Sequence, residues 1–134
     1  MIFPYLDVRR GLLIRSKPII PIGFHGPAGY RQVFALVDSG AEHSLLSLEL
    51  IDSLGLPKEG ADAVEVIGVG GDASLGYLLD VEHQLRHHCW TAPAIFSDIV
   101  DLQSPMVLGQ VGFFEFFTVT FRRSQSVMDI RRAR

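Results

Sequence analysis

Apolar residues recur along most of this chain in short alternating or continuous runs of strand length, broken by glycine and proline, and only once at helical spacing. Between residues 11 and 23 two apolar pieces, Leu-Leu-Ile and Ile-Ile-Pro-Ile, are interrupted by Ser16, Lys17, Pro18 and Pro21. Proline donates no ladder hydrogen bond, so this segment is expected at a sheet edge. FHGPAGY (24–30) then reads as a hairpin turn and RQVFALVD (31–38) as the strand it returns. Beyond Asp38 the period changes: Leu45, Leu46, Leu48, Leu50, Ile51 and Leu54 form an apolar stripe on a helical repeat. With Ser47 as a candidate cap, Gly55 to close the helix and Pro57 to prevent continuation, the pattern predicts a short helix over 47–54.

Strand periodicity resumes in AVEVIGVGGDASLGYLLDVEHQL (63–85), two runs joined across the glycine-rich GVGGDAS. CWTAPAIFSDIV (89–100) is a further strand with a turn. SPMVLGQVGFFEFFTVTF (104–121) offers a strand ending at Gly109, a turn or short helix, and a last strand. There is no internal repeat. The expected fold is mainly β with one or two short helices.

Composition narrows the function classes. At 134 residues the chain suits one domain and is too short for two substantial lobes, so a site with two equivalent halves must recruit a second chain. Residues are 48% apolar, with 13 glycines and 7 prolines, a profile of strands and tight turns. The net charge of −3 gives no overall pull toward nucleic acid. The locally basic Arg122, Arg123, Arg131, Arg132 and Arg134 read as a solvated terminus, with an anionic contact as the rival. One cysteine, Cys89, cannot form an intrachain disulfide, which favours a reducing compartment. The opening MIFPYLDVRR lacks the apolar core of a signal peptide, and no run approaches the length of a membrane span. A cytoplasmic protein is expected, with neither membrane nor nucleic acid as partner.

Asp38-Ser39-Gly40-Ala41 is the first of three motifs with chemical content. Asp-Ser-Gly alone is common turn chemistry. Its place at the end of an apolar strand is what raises interest, since a desolvated carboxylate must be hydrogen-bonded or share a proton. The glycine-rich VIGVGG (66–71) is the second. A phosphate loop would continue in Gly-Lys-Ser/Thr and open a helix, whereas Asp72 and a strand pattern follow here, so a mobile hairpin over a cleft fits better. MVLG (106–109) is the third, with Gly109 lying 71 residues beyond Asp38 and the glycine hairpin between them.

In this order the three motifs resemble those of the retroviral-type aspartic proteases, the retropepsins, and their cellular and bacterial relatives. The family pattern is an apolar strand, Asp-Thr/Ser-Gly-Ala, a flap of the form Ile-Gly-Gly-x-Gly-Gly, and two apolar residues before a glycine. The resemblance covers about residues 18–121 of a single domain spanning 1–134, with the termini left to the dimer interface or to disorder. It implies a closed β-barrel of the acid-protease type, homodimeric, acting as an endopeptidase on peptide or protein substrates without cofactor or metal. Asp38 would face its symmetry mate, the pair sharing one proton and activating water, with activity in the acid-to-neutral range. Ser39 and Gly40 would support the catalytic loop. Ala41, Glu42, Ile67, Gly68, Val69, Gly70, Gly71 and Val107 would contact substrate. Viral members usually carry arginine after the late glycine, paired with an acid two residues past Asp-x-Gly. Here Gln110 follows Gly109 while Glu42 holds the acidic place, so that ion pair is lost or replaced by a hydrogen bond.

Other candidates have simpler readings. On one continuous strand His83, His87 and Cys89 would share a face with His88 opposite, giving at most three ligands where structural zinc takes four. His43, five residues after Asp38, reads as a surface histidine able to tune a pH profile. Trp90, Phe113, Phe114, Phe116 and Phe117 read as core or dimer-interface packing. The alternative function is a silent module of the same fold that dimerises or binds peptide without turnover.

Overall fold

The computed structural model describes residues 1–68 and 70–134. Among the described residues twelve strands and one α-helix follow in order, with a 3-10 turn (Arg123–Gln125) before the last strand: β1 (Ile2–Pro4), β2 (Leu6–Arg10), β3 (Leu13–Lys17), β4 (Ile19–Gly26), β5 (Gly29–Val37), β6 (Leu45–Ser47), α1 (Glu49–Leu54), β7 (Asp62–Ile67), β8 (Ala73–Leu85), β9 (His88–Ser97), β10 (Met106–Leu108), β11 (Phe117–Arg122) and β12 (Val127–Arg132). Seven strands form the main sheet in the order β4-β5-β10-β6-β9-β8-β7. The long strand β8 pairs with β7 through its first half and turns its second half to β4, with Gly23, Phe24 and His25 opposite Gln84, His83 and Glu82. That extra pairing closes β4, β5, β10, β6, β9 and β8 into a ring and leaves β7 outside it, so the mainly β barrel expected from the sequence is the architecture found.

Alternation along the strands explains which face is inside. In β5, Val33, Ala35 and Val37 are buried while Phe34 between them is 54% exposed. Ile20, Ile22 and Phe24 of β4, Ala92, Ala94 and Phe96 of β9, and Met106 and Leu108 of β10 complete the interior. Helix α1 caps it with Leu50, Ile51 and Leu54, all buried, and ends at Gly55, whose φ of 68° only glycine adopts cheaply. The helix begins two residues later than the apolar stripe predicts. Ser47 is held in β6 opposite Ser97, and from there its hydroxyl still accepts the Glu49 N–H at 3.3 Å.

The chain ends build a second, three-stranded sheet, β1-β12-β11, in which β12 runs between the other two and buries Met128 and Ile130 beside Phe3 of β1. Two arginines of this region lie over aromatic rings, Arg132 at 5.2 Å from the Phe116 centroid and Arg123 at 5.9 Å from that of Tyr5. Strands β2 and β3 pair only with each other, and their tip carries the fully exposed Leu12. Among the described residues no helix is long and apolar enough to cross a membrane.

Candidate active site

The chain leaves β5 at Val37, loops through residues 38–44 and returns as β6, while β10 inserts between the two, parallel to β5 and antiparallel to β6. Asp38 therefore stands where β5 ends beside β10, and its N–H donates to the Leu108 carbonyl at 3.0 Å. Its carboxylate is half-buried, and Oδ1 accepts the Gly40 N–H at 2.9 Å. A side chain at Gly40 would bring Cβ to 3.2 Å from that same oxygen, so glycine keeps the loop tight against the carboxylate. Ser39 and Gly40 are exposed.

The segment after β10 closes on this loop backbone to backbone. Gln110 N–H donates to the Ala41 carbonyl at 2.8 Å and Val111 N–H to that of Glu42 at 2.8 Å, and His43 bridges to Val111 in parallel. Gly109 sits so close that a Cβ would lie 2.6 Å from the His43 carbonyl oxygen and 2.7 Å from that of Ala41. Its N–H donates to the hydroxyl of Ser44 at 3.1 Å, and Ser44 is fully buried. Nothing in the sequence marks Ser44, a lone serine in a polar stretch, for this role. Gln110 sends Nε2 to the Ser39 carbonyl at 2.7 Å, so its side chain makes a hydrogen bond to the Asp38 loop.

Ala41 is half-buried and Glu42 exposed beside Asp38. Val107, half-buried on β10, lies opposite Leu36 and Leu45. Ile67, Gly68, Gly70 and Gly71 belong to the tip of the β7–β8 hairpin; Val69 lies outside the described residues. The tip is a true turn, with Gly68 N–H donating to the Asp72 carbonyl at 2.9 Å and Gly71 N–H to that of Gly68 at 3.1 Å. Gly70 and Gly71 take φ of +105° and +87°, conformations that side chains resist. Ile67 at 68% and Leu75 at 54% exposure put two large apolar side chains on the hairpin's free surface, beside exposed Glu65 and Asp72.

His83, His87 and Cys89 do not converge, although the His87 and His88 rings lie 4.2 Å apart. Arg86 at φ 53° and His87 turn the chain between β8 and β9, so the single-strand alternation that would put His83, His87 and Cys89 on one face does not exist. His83 is buried, stacked on Trp90 at 5.0 Å and edge-on to Phe24 at 4.9 Å, whereas Cys89 is exposed. Burial pushes the His83 imidazole down to about 4, against the opposing pull of its Nδ1 hydrogen bond to the Val81 carbonyl. Among the described residues no group of three or more metal-ligating side chains is placed to hold an ion. Trp90 is core, its Nε1 donating to the Gly112 carbonyl at 2.8 Å and its ring packed on Phe117 at 4.8 Å.

Comparison with known proteins agrees with this geometry. The family model described as aspartyl protease matches residues 23–111, a span that runs from β4 through the Asp38 loop and the glycine hairpin to Val111. No curated protein matches the sequence. Among solved structures, the fold is similar to that of EIAV protease complexed with the inhibitor HBY-793, at a TM-score of 0.55 and 17% identity, covering 77% of this chain and 88% of that one. The fold is thus that of the retropepsins.

Proposed function

Since the chain belongs to the aspartyl protease family, we propose that it is an aspartic endopeptidase, active as a homodimer in which each copy contributes Asp38. The observation that carries this reading is the Asp38 loop itself. The chain's one Asp-Ser-Gly stands at the end of β5, its carboxylate gripped by the Gly40 amide and its backbone zipped to residues 109–111. One loop supplies one carboxylate, and a two-fold axis supplies the second.

Two carboxylates ~4 Å apart repel by roughly 4 kcal/mol even at an effective dielectric of 20, so the pair holds a single proton. The ionised member takes a proton from a bound water as the water oxygen bonds to the scissile carbonyl carbon, and the protonated member donates to the carbonyl oxygen. The first member, now protonated, then gives its proton to the amide nitrogen while the second, now ionised, takes a proton from a hydroxyl of the tetrahedral diol, so the C–N bond breaks to acid and amine and the pair again holds one proton. Ser39 would brace the loop against its counterpart, while Ala41 and Glu42 flank the substrate backbone. The β7–β8 hairpin closes from above and excludes water, its glycine tip supplying the bend. Apolar Ile67, Leu75 and Val107 favour apolar side chains around the cut. The lone exposed thiol of Cys89 suits a reducing compartment, and the cytoplasm is the proposed site of action.

Cleavage mapping of a mixed peptide library by mass spectrometry, from about pH 4 to 7, tests the reading. Cuts made by the wild type and absent with Asp38→Asn are expected. A folded, dimeric wild type that cuts nothing across that window would leave a dimerisation or peptide-binding module instead.

A further inference from the structure

Two hydrogen bonds of the Asp38 loop share one peptide unit. Gln110 Nε2 donates to the Ser39 carbonyl at 2.7 Å, and the Gly40 N–H donates to Asp38 Oδ1 at 2.9 Å. The Ser39 carbonyl and the Gly40 N–H are the two ends of a single planar amide. We propose that Gln110 is a positioning residue for Asp38, acting through the 39–40 peptide; the proposal rests on the reading of Asp38 as the catalytic carboxylate.

Two physical effects run through that amide. Holding its carbonyl fixes the plane, and so the direction of the N–H, at a place where rotation is otherwise easy. Ser39 and Gly40 are both exposed, and glycine offers the peptide wide freedom to flip. Accepting a hydrogen bond at the carbonyl also polarises the amide and strengthens its N–H as a donor. The anchor itself is well held. Gln110 N–H donates to the Ala41 carbonyl at 2.8 Å, its own carbonyl accepts from Glu115 N–H at 3.2 Å, and Gly109 before it is pressed onto the same loop. A neutral amide does this without placing a fixed cation beside a carboxylate that must exchange protons during turnover.

The test compares Gln110→Met, close in length but without a donor, Gln110→Ala, and Gln110→Lys, which returns an N–H donor of similar reach. Two quantities are read: the Gly40 amide proton shift in the ¹H–¹⁵N spectrum of the folded protein, and kcat and KM on a cleaved peptide. In both Met and Ala variants the Gly40 proton moves upfield, and kcat falls ~3- to 10-fold with KM within about twofold. The Lys variant recovers the Gly40 shift, while its added cation beside Asp38 keeps kcat below that of the wild type. A Gly40 shift unchanged in the Met variant overturns the proposal, whether or not kcat changes, because Gln110 would then not act through that peptide. If the wild type cleaves nothing, the proposed activity falls, and the Gly40 shift still decides the role of Gln110.

Discussion

Gly109 and His83 show what single positions contribute. At Gly109 the obstacles to a side chain are two backbone carbonyls, which cannot swing aside as a flexible side chain can. Gly109→Ala is therefore expected to lower stability by about 2–4 kcal/mol in denaturant unfolding, through forced separation of the 109–111 segment from the Asp38 loop. Asp38→Asn keeps an acceptor for the Gly40 N–H and should fold as the wild type does while losing at least ~10³-fold in kcat. His83 is neutral when buried, with its folded value near 4 and its unfolded value at 6.5. Between those values the unfolded chain binds a proton the folded one refuses, so stability present above pH 6.5 is lost as pH falls toward 4, by roughly 3 kcal/mol in all. Thermal melts from pH 7 to 4.5 should show this loss and show it reduced in His83→Phe. An equal slope in the two proteins would contradict it. This places an acid limit on a site expected to work in mild acid. Of these residues, Asp38 and Gly109 are legible in the sequence because their neighbours form ordered motifs. The burial of His83 is not, because it follows from β4 and β9 closing over β8 from opposite edges.

Elements were legible where local chemistry decides them and obscure where pairing does. The hairpin from β4 to β5 and the glycine hairpin from β7 to β8 are announced by their turn residues. The turn at Arg86 and His87 is hidden, because it places an arginine in a left-handed conformation usually left to glycine. Strand β1 is equally hidden, since it finds its partner, β12, at the far end of the chain. At the glycine hairpin no atom lies within 4 Å of a Cβ added at Gly70 or Gly71, so alanine there meets only backbone strain, about 1–2 kcal/mol. Each substitution should lower the melting temperature by about 3–10 °C, the size of that strain alone, while lowering kcat/KM several-fold, as expected of a stiffened lid. The hairpin of β2 and β3 pairs with no other strand. A lone two-stranded hairpin is marginal in water, so its amides should exchange with solvent far faster than those of β8 and β9, which hydrogen-exchange mass spectrometry resolves.

At the scale of the whole molecule, the proposed function makes this fold half of a catalytic apparatus. The barrel, the inserted β10 and the loop after β5 bring one carboxylate to one place, and the proposed homodimer would supply its counterpart from a second copy. Mixing wild-type protein with Asp38→Asn at constant total concentration, allowing subunits to exchange, and measuring peptide cleavage against the wild-type fraction tests this directly. If each site needs Asp38 from both copies, activity follows the square of that fraction, and an equal mixture retains about a quarter of the full rate. A linear dependence, with about half the rate at equal mixing, would show that one chain suffices and would contradict the shared dyad.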